Sequence, residues 1–389
     1  MLVSAAGYLA ATVPLRLAGA GAAVAIPLLA VSEYDDVTLG GALVAASLAP
    51  AVVAAPLVGA VMDRVRHPRL LVMASGVVTF VAFGATALLG SVPIEVVFML
   101  LVAAGAVSPF YMGGASSFVT DEIVDERRAF AYDSGSYNIG YVGGPAIVAV
   151  SAVTGSAVLS MWLMAGAALA GAIATLALRM PARPQAVESM WQTIAAGAKH
   201  LVGHRPLTVV IASSTLAYSG SGALPIAAVA LSLERTGSAA DAAIIVTAFA
   251  IGGLVGSVLA IVRPSERFSP EMVMGLGFAA IGAFTLVAVP NLGLGWTIAA
   301  IGLSGVFTAS SNIAMLQLRK QQSPLGVRSQ IFTIGAGLRT TAAAAGAAVA
   351  GLVAGLPAGI LLAGIALSWL ASGAIMLLYP RGTQPLPED

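Results

Sequence analysis

The chain contains the sequence LLVMASGVVTFVAFGATALL at Leu70–Leu89, a run without a charged side chain. A second run of this kind, Gly359–Leu378, lies near the end of the sequence. About 20 apolar residues cross the hydrocarbon core of a bilayer as an α-helix. Of the 389 residues, 59% are hydrophobic and 9% are charged, too few charges for the water-facing surface of a soluble protein. These features predict an α-helical membrane protein.

The same pattern recurs along the chain and predicts twelve apolar spans separated by polar or Pro/Gly breaks. Most of the 18 Lys and Arg residues fall in loops on one side, including Arg319 and Lys320 after the tenth span. The positive-inside rule makes that side cytoplasmic, so we expect both termini on the cytoplasmic side of the cell membrane. The predicted spans are residues 9–31, 38–61, 70–90, 94–119, 129–152, 157–178, 207–232, 240–262, 271–290, 293–318, 329–354 and 357–379.

One long polar connection, residues 179–206, divides the spans into two sets of six. Apolar residues recur in it at helical spacing from Trp191 to Val202, which predicts an amphipathic helix on the membrane surface; a plain linker is the alternative. The predicted domains are an N-terminal bundle at 1–178, this linker, and a C-terminal bundle with a short tail at 207–389. Glycine-containing spans that begin with arginine recur as the fifth and eleventh, so we expect two pseudo-symmetric six-helix bundles, as in many transporters.

The loop after the second span has the sequence GAVMDRVRHPRLL at Gly59–Leu71. Its Gly and Asp-Arg pair, and its place on the predicted inner side, resemble the loop signature of the major facilitator superfamily, although Arg66 and Pro68 depart from that signature. The resemblance implies a secondary transporter that works by alternating access, and a loop that ties the cytoplasmic helix ends together. A simple topogenic turn is the alternative. The expected cytoplasmic gate comprises Gly59, Asp63, Arg64, Arg69 and Asp121.

The fifth span contains GYVGGP at Gly140–Pro145. This partly resembles the fifth-helix signature of drug/proton antiporters in the same superfamily, although Val148 and Ala149 replace its next glycine pair. Proline breaks a helical hydrogen bond and glycine removes side-chain bulk, so we expect a kinked helix at Gly144 and Pro145 with a close neighbour. The resemblance favours export.

Three charged side chains lie at membrane depth, away from the first residues of the predicted spans, where charges are costly and usually functional. Arg16 lies in the first span, Asp133 in the fifth and Arg339 in the eleventh. Because the guanidinium group suits carboxylate or phosphate, Arg16 and Arg339 are candidates for binding an anionic substrate. The alternatives are that Arg16 snorkels to the cytoplasmic interface and that Arg339 pairs with helix carbonyls or with Asp133.

Asp133 is the candidate for proton coupling, because it is the only acid clearly inside a span. Partial burial favours the neutral form of a carboxyl group, which would let it bind and release protons. The alternative is a structural salt bridge at the inner mouth with Arg127, Arg128 or Arg64.

Uncharged polar side chains on the candidate cavity helices complete the expected substrate site, since they form hydrogen bonds without the cost of a charge. They are Tyr111, Tyr137, Asn138, Tyr218 and Asn312.

The absence of cysteine excludes disulfides and thiolate metal sites. All three histidines, His67, His200 and His204, fall at the predicted surface, so we expect neither an enzyme nor a cofactor or metal site. The expected function is proton-coupled export of a small organic compound by a monomer in the bilayer, without a nucleic-acid partner. Proton-coupled uptake of a small organic anion is the alternative, and a non-transporting receptor or scaffold is the alternative of another class.

Overall fold

The computed structural model describes residues 2–62, 65–123, 126–154, 156–181, 190–262, 268–380 and 382–384. These residues form helices joined by short turns, and the described ranges contain no strand. The predicted all-helical fold is confirmed.

The helices of the described residues follow the predicted spans closely, although several spans are divided into two. A π-helical segment, Phe110–Gly114, continues α5, and single 3₁₀ turns, Thr175–Ala177 and Met376–Leu378, extend α8 and α16. The α-helices are α1 (Leu2–Tyr34), α2 (Val37–Leu48), α3 (Pro50–Met62), α4 (Pro68–Ala87), α5 (Ile94–Pro109), α6 (Val119–Glu122), α7 (Glu126–Thr154), α8 (Ala157–Ala174), α9 (Met190–Gly203), α10 (Arg205–Thr236), α11 (Asp241–Val262), α12 (Pro270–Val287), α13 (Leu294–Val306), α14 (Thr308–Gln321), α15 (Leu325–Leu352) and α16 (Ala358–Ile375).

Ten helical segments of the described chain are long and apolar enough to cross a membrane. The helices α7 and α15, with 29 and 28 residues, are also long enough. They carry polar residues within the helix, Asp133 and Asn138 in α7 and Arg339 in α15. Twelve crossings are therefore compatible with these helices, and the count of twelve stays a prediction.

The chain divides into two compact units, one of Met1–Val187 with Ala239–Ile244, the other of Glu188–Ser238 with Ile245–Asp389. In the first unit α1 packs against α7 and α8, and α4 packs against α8. In the second unit α10 packs against α15 and α16, and α12 packs against α16. The same pairing of helices thus recurs within each unit, as an internal repeat predicts. The predicted domain boundaries stay a prediction.

Glycines create the closest helix contacts in both units. An added Cβ at Gly144 of α7 would lie 2.5 Å from the backbone nitrogen of Gly21 in α1. In the second unit, a Cβ at Gly222 of α10 would overlap the carbonyl oxygen of Ala343 in α15. Small residues let helices approach closely where packing, rather than burial from water, holds a membrane bundle together.

The predicted linker contains α9, which packs against α10 and α15 within the second unit. Its His200 and His204 rings are stacked 5.0 Å apart. Their Nε2 atoms lie 3.2 and 2.9 Å from the backbone and side-chain oxygens of Gln322, after α14. The side chains of Trp191 and Ile194 lie outside the described residues.

Candidate functional site

An ion pair joins α1 to α7 inside the first unit. The Nη2 atom of Arg16 lies 2.8 Å from Oδ1 of Asp133. The Arg16 side chain is 1% exposed and the Asp133 side chain 16%. Because α1 begins at Leu2 rather than near residue 13, Arg16 lies well inside the helix, and the interpretation that it snorkels to the interface is wrong.

Hydroxyl groups complete the surroundings of this pair. Oδ1 of Asp133 accepts hydrogen bonds from Tyr8 Oη at 2.6 Å and from Ser116 Oγ at 2.9 Å. Arg16 donates from Nη2 to Ser116 Oγ at 2.8 Å, from Nη1 to the backbone oxygen of Asp133 at 3.0 Å, and to Ser136 Oγ. The charges are therefore held by a network that the sequence analysis did not anticipate, since Tyr8, Ser116 and Ser136 carry no signal that separates them from ordinary helix residues.

The two charged groups differ in what they can do chemically. Arginine keeps its proton at any physiological pH, whereas a carboxyl group can gain or lose one. The Asp133 side chain is partly exposed, whereas the Arg16 side chain is buried. The ionised Asp133 is thus the counter-charge of the buried Arg16 guanidinium, and the pair joins α1 to α7.

The other predicted residues of the first unit have different positions. The Tyr137 ring stacks on Arg16, with the guanidinium carbon 3.5 Å from the ring centroid. Asn138 is exposed, whereas Tyr111 is buried in a hydrophobic cluster with Tyr8. The α7 helix continues through Pro145, and its neighbour Gly144 has the predicted close contact to α1.

The second unit brings together three residues that were predicted separately. The Arg339 guanidinium carbon lies 4.9 Å from the centroid of the Tyr218 ring, and Tyr218 Oη donates a hydrogen bond to Asn312 Oδ1 at 3.5 Å. Arg339 Nη1 also lies 3.3 Å from the sulfur of Met315. These residues come from α10, α14 and α15.

The prediction that Arg319 lies in a loop after the tenth span is wrong. The α14 helix continues to Gln321, and Arg319 is fully buried. Its Nη2 donates a hydrogen bond to Ser214 Oγ at 2.8 Å. The sequence spacing does indicate burial of Arg319, because Ser311 and Met315 precede it at four-residue intervals and lie on the same buried face of α14.

Two of the predicted gate residues line one cavity of the first unit. Arg69 and Asp121 line a cavity of about 450 Å³ together with His67 and Arg179. Gly59 lies in α3. Asp63 and Arg64 lie outside the described residues, so their proposed contacts stay a prediction.

A buried acid lies beside this cavity. Glu122, at the end of α6, accepts a hydrogen bond from the backbone N–H of Arg179. Burial raises the pKa of Glu122, and the hydrogen bond from Arg179 opposes part of that rise.

Comparisons with known proteins give a family and a fold. A family model described as Major Facilitator Superfamily matches residues 8–224. No protein of curated function matches the chain.

Solved structures share the fold over nearly the whole chain. The structure of the nucleoside transporter NupG is 16% identical, with a TM-score of 0.79, and the match covers 96% of this chain and 99% of that one. A POT family transporter in complex with a thioalcohol-conjugated peptide is 12% identical, with a TM-score of 0.77 and coverage of 96% and 95%. The peptide transporter POT in complex with sulfate is 14% identical, with a TM-score of 0.73 and coverage of 96% and 93%.

Proposed function

Because the chain belongs to the major facilitator superfamily, we propose that it is a proton-coupled secondary transporter in which Asp133 carries the proton. A member of this superfamily is a multi-pass membrane transporter and not an enzyme. The proposal goes further in naming the coupling group, with Arg16 as its fixed counter-charge. It also places both termini and the Arg69–Asp121 gate on the cytoplasmic side of the cell membrane, and it expects a monomer.

The ion pair between Arg16 and Asp133 carries the proposal. A ligand shifts a conformational equilibrium only if it binds the two states with different affinity, and this holds for a proton as well. Asp133 has that property, because its ionised form accepts three side-chain donors, Arg16 Nη2, Tyr8 Oη and Ser116 Oγ. Any conformation that separates α7 from α1 would remove these donors and favour the protonated carboxyl group.

Export of a small organic compound is the direction that we propose. The glycines that resemble the antiporter signature are those that bring α7 against α1 around the ion pair. An added Cβ at Gly140 would lie 2.9 Å from Cβ of Arg16, and one at Gly144 would lie 2.5 Å from the Gly21 nitrogen. The glycines of the antiporter-like sequence and the proposed coupling residue Asp133 thus lie at the same contact between α1 and α7. Uptake of a small organic anion is the second candidate, favoured by the grouping of Arg339 with Tyr218 and Asn312.

The test separates proton coupling from transport itself. A compound panel sorted by charge, scored by thermal unfolding, first selects a compound that stabilises the purified protein. Liposomes containing wild type or Asp133→Asn are then compared for exchange of that compound without a gradient and for accumulation under an imposed pH gradient. We expect the variant to keep exchange and to lose gradient-driven accumulation. Accumulation at the wild-type level by Asp133→Asn would refute the assignment, and the sign of the effective gradient decides between export and uptake.

A substrate-free measurement provides an independent check. Infrared difference spectra between acid and neutral pH report the C=O stretch of protonated carboxyl groups. We expect a band in wild type that is missing in Asp133→Asn and is kept in the matched variant Glu95→Gln, which changes an exposed acid in the first turn of α5. Identical spectra for wild type and Asp133→Asn would contradict the proposal.

A further inference from the structure

Arg319 differs from Arg16 in that the described residues give it no ion-pair partner. Arg16 is paired with Asp133, and this is the one salt bridge among the described residues. Arg319 is equally buried, yet its Nε and Nη1 atoms have no hydrogen-bond acceptor in the described part of the chain. Burying a charge without a partner is costly, so such a group is retained where it has a function.

The sequence explains why no carboxylate neutralises this arginine from its own helices. No Asp or Glu occurs between Glu271 and Glu388, a stretch that includes all of α13 to α16. On α10, the acid Glu234 lies more than four turns beyond Tyr218, and its Oε2 accepts a hydrogen bond from the backbone of Ala358 instead. The described residues of α10, α14 and α15 around Arg319 therefore offer it no carboxylate.

The Arg319 guanidinium is held in one layer by three helices of the second unit. Nη2 donates to Ser214 Oγ of α10 at 2.8 Å. On α15, an added Cβ at Gly335 would lie 2.9 Å from Nη1 of Arg319, so the absence of a side chain there makes room for the guanidinium.

The next layer contains Arg339. Its guanidinium stacks on Tyr218 of α10, contacts Met315 of α14, and lies near Asn312 through the Tyr218 hydroxyl. Arg339, Tyr218 and Asn312 are partly exposed, whereas Arg319 is not. This layer therefore forms the open side of the cluster, and Arg319 lies behind it.

The two layers are in register on all three helices. Tyr218, Met315 and Arg339 are each four positions from Ser214, Arg319 and Gly335, respectively. Four residues correspond to about 6 Å along a helix, so the two guanidinium groups occupy adjacent layers.

We propose that Arg319 and Arg339 form an oxyanion-binding site in the second unit, which takes the carboxylate or phosphate group of a small molecule. Guanidinium groups bind such groups with two parallel hydrogen bonds, which Nη2 forms together with either Nε or Nη1. The Nε and Nη1 atoms of Arg319 have no acceptor among the described residues, and Nη2 keeps a second N–H beside the one that bonds Ser214, so one such pair of donors remains for a ligand. Tyr218 and Asn312 supply a hydroxyl and an amide for the remaining oxygens. The inference rests on the proposed function only in taking the bound anion to be the transported solute.

The test uses thermal unfolding of the purified protein in a neutral detergent. The probes are sodium succinate and sodium phosphate, compared with sodium chloride at equal ionic strength. We expect both probes to raise the Tm of wild type with concentration, by about 5–10 °C at about 100 times Kd. Arg319→Gln should lose this shift, and Gly335→Ala should weaken it without changing any charge, because the added Cβ displaces the guanidinium. The matched control is Arg235→Gln, which removes a cation of the same unit whose Nη atoms are bonded to Thr297, Ala288 and Val289.

The Tm without a probe separates a binding role from a structural one. If Arg319 is an uncompensated binding group, Arg319→Gln unfolds at the same temperature as wild type or higher. A lower Tm for Arg319→Gln, together with an unchanged Tm shift on adding the anions, would overturn the proposal. The proposal would also be overturned if neither the anions nor added lipid shifted the Tm of wild type by more than chloride does.

Two further arms identify the source of the anion and isolate the site from proton coupling. A shift produced only by added phosphatidylglycerol, and lost in Arg319→Gln, would keep the oxyanion site and assign it to a lipid headgroup. Asp133→Asn should keep the full succinate shift, because Asp133 belongs to the first unit. If the proton-coupling test fails, the anion-binding result therefore still holds. If the anion-binding test fails, the proton-coupling proposal is likewise unaffected.

Discussion

Replacing Asp133 by asparagine isolates the energetic role of the buried ion pair. The substitution leaves Arg16 charged, 2% exposed and without a carboxylate. Removing one partner of a buried pair costs about 3–5 kcal/mol. The amide oxygen of the asparagine can still accept hydrogen bonds from Tyr8 and Ser116, so we expect the lower end of this range. At about 2–4 °C per kcal/mol for a unit of this size, a loss of about 3 kcal/mol lowers Tm by about 6–12 °C.

Replacing the other partner of the pair, Arg16, should lower the free energy of unfolding by less. Arg16→Gln leaves a carboxyl group that is 16% exposed and can take up a proton, whereas an arginine cannot give one up. We expect a loss of about 1–2 kcal/mol from the missing hydrogen bonds. In the double variant neither charge remains, so the loss should be smaller than the sum of the single losses by at least about 1 kcal/mol.

Differential scanning fluorimetry of the four proteins in detergent measures these differences. Glu95→Gln is the control, because Glu95 is exposed and its replacement should change stability by less than about 0.5 kcal/mol. The reasoning fails if Asp133→Asn unfolds within about 1 °C of wild type. It also fails if Arg16→Gln is the more damaging change or if the two losses add without coupling.

Four other substitutions, in three tests, probe separate parts of the structure by the same thermal assay. Gly222→Ala should cost about 1–3 kcal/mol through overlap with α15, whereas Gly364→Ala, which has open space around it, should be neutral or slightly stabilising; equal effects would contradict the close packing. Tyr8→Phe removes the 2.6 Å hydrogen bond to Asp133 and should cost about 1.5–3 kcal/mol, and no loss would show that this bond is dispensable. Because burial raises the pKa of Glu122, its ionisation destabilises the fold as pH rises from its ordinary pKa to the raised value. Glu122→Gln should therefore unfold at a higher temperature than wild type near neutral pH, with the difference shrinking toward about pH 4; a gap that grows with acidity would refute this.

The ionisable candidates show where prediction from the sequence succeeds. Arg16, Asp133 and Arg339 stand out because a charge inside an apolar run is costly wherever the helix lies. The identity of the partner of Arg16 did not follow, since Asp133 is 117 positions away and helical periodicity says nothing about which faces meet. The predicted partners of Asp133 were instead Arg127, Arg128 or Arg64, whose side chains lie outside the described residues, and Arg339.

Arg319 shows where prediction fails. The apolar run ends at Leu318, and an arginine beside Lys320 is typical of a membrane boundary. Hydropathy detects where a helix leaves the hydrocarbon, but a bundle can bury the last turn of a helix against its neighbours. The helical stripe from Ser311 through Met315 to Arg319 was the better guide in this case.

Composition and residue order along the chain were enough to predict that this protein lies in a bilayer, where its helices run and to which family it belongs. Those properties follow from the hydrophobicity of each run of residues by itself, because each apolar run must satisfy its own backbone hydrogen bonds within a helix in the bilayer. The tertiary structure alone decided that Asp133 neutralises Arg16 and that the described residues offer Arg319 no counter-charge. Pairing depends on helix rotation and close approach, which glycines such as Gly144 and Gly335 permit by omitting a side chain, and no local pattern records which backbone will fill that space.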